Sequence, residues 1–311
     1  MQLQNEQAGL FTDSSRFGRF IEVNFSAEVN AEQIKALLSE LLVLRDDLPE
    51  HHYLQFAFGA NCWDKLNPEW RPADLKSFED LTGINDLAMP GTQADLLIWL
   101  HGHDADQLLP VQLAVYPLLD SLAAIQLDLQ GIKNFEGRDL IGFVDGTANP
   151  KEDKRLDAAL IPAGEVGAGG SYVMAQRWQH DLDAFNALSV SAQEKVVGRT
   201  KVDDIELEGD DMPADSHVSR TDADVDGVAM KIYRKSLPYL ASQLHAEEEG
   251  KPDHGLYFFA FACEMRRFEV QLERMLGIDA DGISDHLMQF SKAKTGSYWF
   301  MPSETDLQKL I

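Results

Sequence analysis

Residues able to do chemistry gather in three short stretches. The first is Ile141-Gly142-Phe143-Val144-Asp145-Gly146-Thr147-Ala148-Asn149-Pro150, where two glycines bracket an acid and Phe143 and Val144 lie between them. Glycine lets a backbone turn sharply and lie close to a flat ligand. An acid delivered there beside apolar neighbours would have a raised pKa, which suits proton transfer. The same residues also read as a strand running into an Asp-Gly turn. The second stretch is Asp215-Ser216-His217-Val218-Ser219-Arg220, with its histidine in an irregular acidic loop. A lone histidine of this kind is usually a surface or satisfied core residue. The third is Arg234 at the end of an alternating run, followed by Lys235-Ser236-Leu237-Pro238-Tyr239. A cation at a strand end is usually a solvated terminus. One acid, one histidine and one arginine near element ends could converge on one pocket, but spacing alone does not bring them there.

Other candidate chemistries are weaker. Asp222-Ala223-Asp224-Val225-Asp226-Gly227 matches the opening of an EF-hand loop, but its twelfth position is Tyr233, where Ca²⁺ needs a bidentate glutamate. An acidic turn before a strand is the better reading. His101-Gly102-His103, with Asp104 next, and His51-His52 could supply metal ligands, yet both pairs sit at element ends where solvated histidines are common. No G-x-S-x-G, H-E-x-x-H or phosphate-loop pattern is present, so serine-hydrolase, zincin and ATPase readings lack support.

The elements that must position these groups follow from periodicity. Ile21, Val23 and Phe25 alternate with polar residues as a half-buried strand. Asn30 is a helix N-cap, with Gln33 completing a capping box, and Ile34, Leu37, Leu38, Leu41 and Leu42 share one helical face. Further strands hold Leu54, Phe56 and Phe58; Leu96 to Leu100; and Ile125, Leu127 and Leu129 on one face. A helix lies within Asp106 to Leu119 despite Pro110 and Pro117. This β-α-β-β-α-β order is the ferredoxin-like unit. After residue 135 a similar rhythm returns: a strand from Tyr172 to Trp178, and a helix opened by a capping box over Ser191 to Glu194. A strand carrying Val228, Met230 and Ile232 ends at Arg234, and a buried strand runs from Gly255 to Cys263. A helix with Met265, Phe268, Leu272, Met275 and Leu276 on one face follows, then a short helix near Ile283 to Phe290 and a strand from Ser297 to Phe300. The expected fold is α+β, with two ferredoxin-like halves at 1–135 and 136–311, each an antiparallel sheet covered by helices.

Composition sets limits on partners. The chain has 311 residues, 52 Asp+Glu against 27 Lys+Arg, and a net charge of −25. That charge argues against nucleic acid and anionic membrane surfaces as partners. Hydrophobic content of 44% supports a real core, and no apolar run approaches the roughly 20 residues that span a bilayer. The opening Met1-Gln2-Leu3-Gln4-Asn5-Glu6 shows neither a basic start nor an apolar signal core. Cys62 and Cys263 form no disulfide framework, so a reducing cytoplasm is the expected location.

Taken together, the three stretches resemble the dye-decolourising peroxidase family, haem b enzymes with two ferredoxin-like halves. Gly142 to Gly146 matches the family's G-x-x-D-G motif, and Thr147 to Pro150 extends it. Ser216 to Arg220 resembles the stretch carrying the axial haem histidine, and Ile232 to Ser236 the stretch carrying the distal arginine. Asp285-His286-Leu287-Met288-Gln289-Phe290-Ser291, with Gly296, Phe300 and Pro302, resembles the family's closing helix and strand. The likeness spans nearly the whole chain, is weakest over residues 1–15, and is nearest the compact bacterial branch.

The resemblance implies one haem b per chain, held mainly by the second half, with His217 as axial ligand. Asp285 would be its carboxylate partner, with Glu264 or Asp281 as alternatives; such a partner makes the ligand more basic. It implies proton shuttling by Asp145, charge stabilisation by Arg234, and a hydrogen bond from Ser236 to a distal oxygen ligand. Gly146, Thr147, Arg220 and Arg234 would contact the haem, the two arginines through its propionates. The implied reaction is reduction of H₂O₂ to water with one-electron oxidation of phenols, dyes or similar aromatics. Trp178, Tyr239, Tyr257 and Trp299 are candidate electron relays or core packing. A homo-oligomer is also implied. Two other readings stay open: a haem carrier, store or processing protein with incidental peroxidase activity, and an acidic ferredoxin-like interaction module without haem. The ten acids from Asp203 to Asp226 around His217 would favour neutral or cationic donors.

Overall fold

The fold was analysed in a computed structural model that describes residues 5–240 and 253–311. Its centre is a single antiparallel sheet closed into a barrel. In hydrogen-bonded order the strands are Tyr233–Arg234, His254–Ala262, Leu237–Leu240, Ala123–Ile132, Phe17–Phe25, Leu96–Gly102, His52–Phe58, Ser297–Met301, Ser171–His180 and Ser291–Ala293. The His254–Ala262 strand also pairs with Ser171–His180 from Gly255↔Gln179 to Ala262↔Tyr172, which closes the ring and removes the free edges. Tyr233–Arg234 and Leu237–Leu240 are two pieces of one strand along the same neighbour. They are separated at Lys235 and Ser236, yet Lys235 N–H still donates to Phe259 O.

Alternation along each strand sorts side chains into two cores. Phe20, Trp99, Tyr257, Phe259, Phe261 and Trp299 fill the barrel. Ile21, Val23, Phe56, Ile98, Met174 and Phe300 face outward under the helices. Helix Ala31–Asp46 forms as its sequence demands, with Asn30 Oδ1 accepting the Gln33 N–H at 3.0 Å and Gln33 Oε1 accepting the Asn30 N–H at 3.1 Å. Ile34, Leu37, Leu38, Leu41 and Leu42, the face expected to be apolar, are all buried. Helix Ala105–Leu119 tolerates both prolines, and Arg266–Met275 buries Phe268, Leu272 and Met275 against the sheet.

Four local expectations need correction. Ile125 is not on the buried face with Leu127 and Leu129: the register skips Gln126, pairing Glu22 with Leu127 and Val23 with Ile125, and this bulge leaves Ile125 exposed. The helix expected from Ser191 spans Val190–Val197, because Ser189 is the cap, its hydroxyl accepting the Ala192 N–H. The strand through Val228, Met230 and Ile232 is broken. Val228–Ala229 instead forms a hairpin with Asp224–Val225 across Asp226 and Gly227, both at positive φ, as a two-residue Asp-Gly turn requires. The helix expected near Ile283 to Phe290 is a single short 3₁₀ turn, His286–Gln289.

Candidate active site

His217 opens a five-residue helix, His217–Thr221, capped by buried Ser216, whose hydroxyl accepts the Ser219 N–H. So short a helix is not stable alone. Two arginines clamp it to Arg266–Met275: Arg220 Nε donates to Arg274 O, and Arg274 donates to Ser219 O and Arg220 O. Close approach also needs Gly198, the left-handed end of Val190–Val197. A Cβ there would lie 2.9 Å from Ser216 Oγ.

This scaffold brings His217 to Asp285. His217 Nδ1 donates to Asp285 Oδ2 at 2.6 Å, and Asp285 Oδ1 accepts the Leu287 N–H at 2.9 Å. Asp285 is fully enclosed, so both carboxylate oxygens have fixed partners. The imidazole is about a quarter exposed, into the cavity it helps to line. No hydrogen bond occupies His217 Nε2 among the described residues.

The glycine-bracketed acid reaches the same cavity by another route. Gly142 and Gly146 have φ of +92° and +91°, a region that side chains with a Cβ rarely adopt. Asp145 N–H donates to Gly137 O. Asn149 then ties the loop to the arginine strand: its Oδ1 accepts the Arg234 N–H and its Nδ2 donates to Arg234 O, both at 2.9 Å. Asp145 Oδ1 consequently lies 3.6 Å from Arg234 Nη1, with both side chains about a fifth exposed. Asp145 therefore faces a guanidinium, not the wholly apolar surroundings that Phe143 and Val144 suggested.

His217, Asp285, Asp145, Arg234 and Thr147 all line one cavity of about 1480 Å³, counted to its open mouth. Met174, Trp178, Leu256, Phe258, Leu272 and Met275 make its walls apolar. Gln176 also lines it, and its buried Nε2 has no partner among the described residues.

Residues 7–131 match the model of the Dyp-type peroxidase N-terminal domain, and residues 136–306 that of the C-terminal domain. The chain belongs to the dye-decolourising peroxidase family. It is 36% identical to a dye-decolorizing peroxidase of Mycolicibacterium paratuberculosis, over 79% of this chain and 68% of the relative. It is 34% identical to that of Mycobacterium tuberculosis, over 83% and 75%. Among solved structures, a dye-decolorizing protein from V. cholerae superposes with a TM-score of 0.86 at 35% identity, covering 97% of this chain and 99% of the other. A Rhodococcus jostii DypB variant in complex with heme superposes with a TM-score of 0.88 at 30% identity, covering 97% and 98%.

Within this dye-decolourising peroxidase three expected contacts are displaced. Arg220 does not line the cavity. It is buried, donates to both carboxylates of Asp279 and Asp281, and holds Asp281 down at about 2. It ties the helix that carries His217 to the loop holding Asp279 and Asp281. Ser236 and Gly146 line a second cavity of about 910 Å³, which shares only Asp145 and Arg234 with the first. The Ser236 hydroxyl accepts the Phe259 N–H at 3.4 Å. The fallback carboxylates are engaged elsewhere, Glu264 with Arg267 and Asp281 with Arg220.

Other features went unread. Arg199 lines the first cavity, donating to Asp204 and Glu206, while the Thr147 hydroxyl donates to Asp204. A buried chain on the cavity wall joins Asp139, His180 and Ser291: His180 Nε2 lies 3.1 Å from Asp139 Oδ2, and Nδ1 lies 2.8 Å from Ser291 Oγ. The histidine pairs weighed as metal ligands bond their own chain: His101 to Ser15 and Gln55, His52 to Glu50 O and the Asp104 N–H, and His103 to Ser14 O. No helix among the described residues is long and apolar enough to cross a membrane.

Proposed function

We propose that the chain is a haem b peroxidase, with one haem in the large cavity and His217 as its axial ligand. The observation that carries this reading is the 2.6 Å bond from His217 Nδ1 to a fully enclosed carboxylate, Asp285, at the cavity wall. Donating Nδ1–H fixes the tautomer and directs the Nε2 lone pair outward, and the carboxylate makes that nitrogen a stronger donor to iron. The residues present fit a flat macrocycle: apolar walls, one unpartnered imidazole nitrogen, and the orphaned Nε2 of Gln176. Bound haem supplies the iron on which peroxide is reduced and through which single electrons are drawn from donors.

The chain supplies proton and charge control. Asp145 Oδ1 faces Arg234, leaving Oδ2 to take a proton from peroxide and return it to the departing oxygen. Arg234 offsets the negative charge that builds on that oxygen. Thr147 at the cavity wall and Arg199 beside it provide polar contacts to the cofactor's edge. The reductants are phenols and similar aromatics, and the haem-carrier reading gains no observation of its own.

The boundary between the two halves falls near residue 135, and each half is ferredoxin-like. In the first half the strands lie side by side as fourth, first, third and second in chain order, and the second half repeats that order. Cys62 and Cys263 are unpaired, which supports a cytoplasmic location. The family likeness carries the expectation of a homo-oligomer, which light scattering of the purified protein tests.

The test of function is steady-state oxidation of a phenol by haem-loaded protein with and without H₂O₂. Peroxide-dependent, saturable turnover is expected. Tight haem binding without turnover, with fast haem transfer to an apo-acceptor, would favour the carrier reading.

A further inference from the structure

One buried acid is not used by the site described above. Glu22 projects into the barrel and is 2% exposed. Its Oε1 accepts the Tyr257 hydroxyl at 2.7 Å, and its Oε2 accepts the Ser297 hydroxyl at 3.4 Å. No cation lies within ion-pair distance among the described residues. Burial pushes its carboxyl up to about 7 against the pull of these two bonds, and burial with the neighbouring carboxylate pushes the Tyr257 phenol up as well.

Tyr257 sits directly behind the large cavity. Its strand neighbours Leu256 and Phe258 line that cavity, while Tyr257 faces the other side of the same strand. One sheet thickness therefore separates the phenol from the cavity. Removing an electron from a phenol makes its O–H strongly acidic, so oxidation in a dry core requires a proton acceptor already in place. Glu22 is that acceptor. Trp99 and Trp299 share this core, but among the described residues their indole N–H groups have no partner to receive a proton. Tyr239 also donates to a carboxylate, Asp253, but that group is already ion-paired with Arg177.

We propose that Tyr257 and Glu22 form a proton-coupled redox pair that takes up one oxidising equivalent from the peroxide-oxidised cofactor. This rests on the haem-peroxidase reading above. The Tyr257 Oη–H bond breaks, an Oε1–H bond forms on Glu22, and one electron passes to the cofactor. Tyr257 is left as a neutral phenoxyl radical beside a neutral acid, and the charge of the pair rises from −1 to 0. An electron from a donor and return of the proton restore it. A line of stacked rings leads away from the pair: Tyr257 on Phe20 at 4.1 Å, Phe20 on Trp99 at 6.1 Å, and Trp99 on His101 at 3.8 Å. Trp99 and His101 line the second cavity.

The test is freeze-quench electron paramagnetic resonance of haem-loaded protein mixed with H₂O₂ without donor, followed optically in parallel. A protein radical whose spectrum narrows when tyrosine is ring-deuterated is expected. Tyr257→Phe should abolish it, and Glu22→Gln should reduce it about tenfold or more, with the optical reaction with peroxide retained. The wild-type yield should rise as pH passes through about 7, while Glu22→Gln stays flat. Because Tyr257→Phe leaves Glu22 without its donor, the double variant Glu22→Gln/Tyr257→Phe serves as the folding control and should also lack the radical. An unchanged radical in Tyr257→Phe, or a yield indifferent to Glu22→Gln, would overturn the pair. Absence of any optical change with peroxide in wild type would overturn the haem reading and the pair with it.

Discussion

Two acid–base pairs line the same cavity and are built in opposite ways. His217–Asp285 is short at 2.6 Å, its carboxylate is fully enclosed, and both oxygens are fixed. Asp145–Arg234 is long at 3.6 Å, both members are partly open to solvent, and one Asp145 oxygen has no partner among the described residues. A ligand must stay in one tautomer and one orientation, which enclosure enforces. A proton shuttle must exchange with water and substrate, which enclosure would prevent. On the proposed reading, the closed pair binds the cofactor and the open pair does the chemistry.

Substitutions can separate these roles. The largest expected effect is on the open pair: Asp145→Asn or Arg234→Leu should slow the reaction with peroxide by about 10²-fold or more in stopped flow, with haem affinity unchanged in Asp145→Asn. Wild-type rates in both variants would remove the distal roles. Next, Asp285→Asn should weaken haem affinity by about 10–100-fold and shift the haem spectrum. If it instead altered only the peroxide rate, the two pairs would not differ as described.

A smaller effect concerns stability. Glu22 titrates at about 7 in the fold, above its ordinary value of 4.5, so the folded state holds the proton more tightly. The contribution is complete below about 4.5 and is lost as pH rises toward 7, a change of about 3 kcal/mol for a fully buried group. Denaturant unfolding of haem-free Glu22→Gln should lack that decline relative to wild type. Parallel pH profiles would show that Glu22 is not buried as an acid.

The smallest effect is on donor charge. Of the ten acids around His217, only Glu206 and Asp222 line the cavity, and they are paired with Arg199 and Lys231. Low salt should therefore favour cationic over sulfonated dyes only a few-fold. Faster oxidation of the sulfonated dye at low salt would contradict this.

What could be read from sequence was what is encoded locally. The Asn30–Gln33 capping box and the alternating strands were legible because their partners lie within a few residues. Closure of the barrel was not, since it depends on His254–Ala262 pairing with a strand some eighty residues earlier. Asp145 was visible from its glycines, but its tie to Arg234 runs through Asn149, a side chain that read only as part of a turn. The His217–Asp285 bond spans 68 residues, and family resemblance, not spacing, pointed to it. Arg220 illustrates the opposite error. The family resemblance implied a cofactor contact, whereas Asp279 and Asp281, invisible as partners in the chain order, claim it.

The central claim is that His217 Nε2 ligates the haem iron. The most direct measurement is the absorption spectrum of His217→Ala loaded with haem, recorded with and without added imidazole, beside wild type. The variant should lose or strongly shift the Soret band and should recover it, at least in part, when imidazole fills the space left by the side chain. An unchanged Soret band in His217→Ala would contradict the assignment.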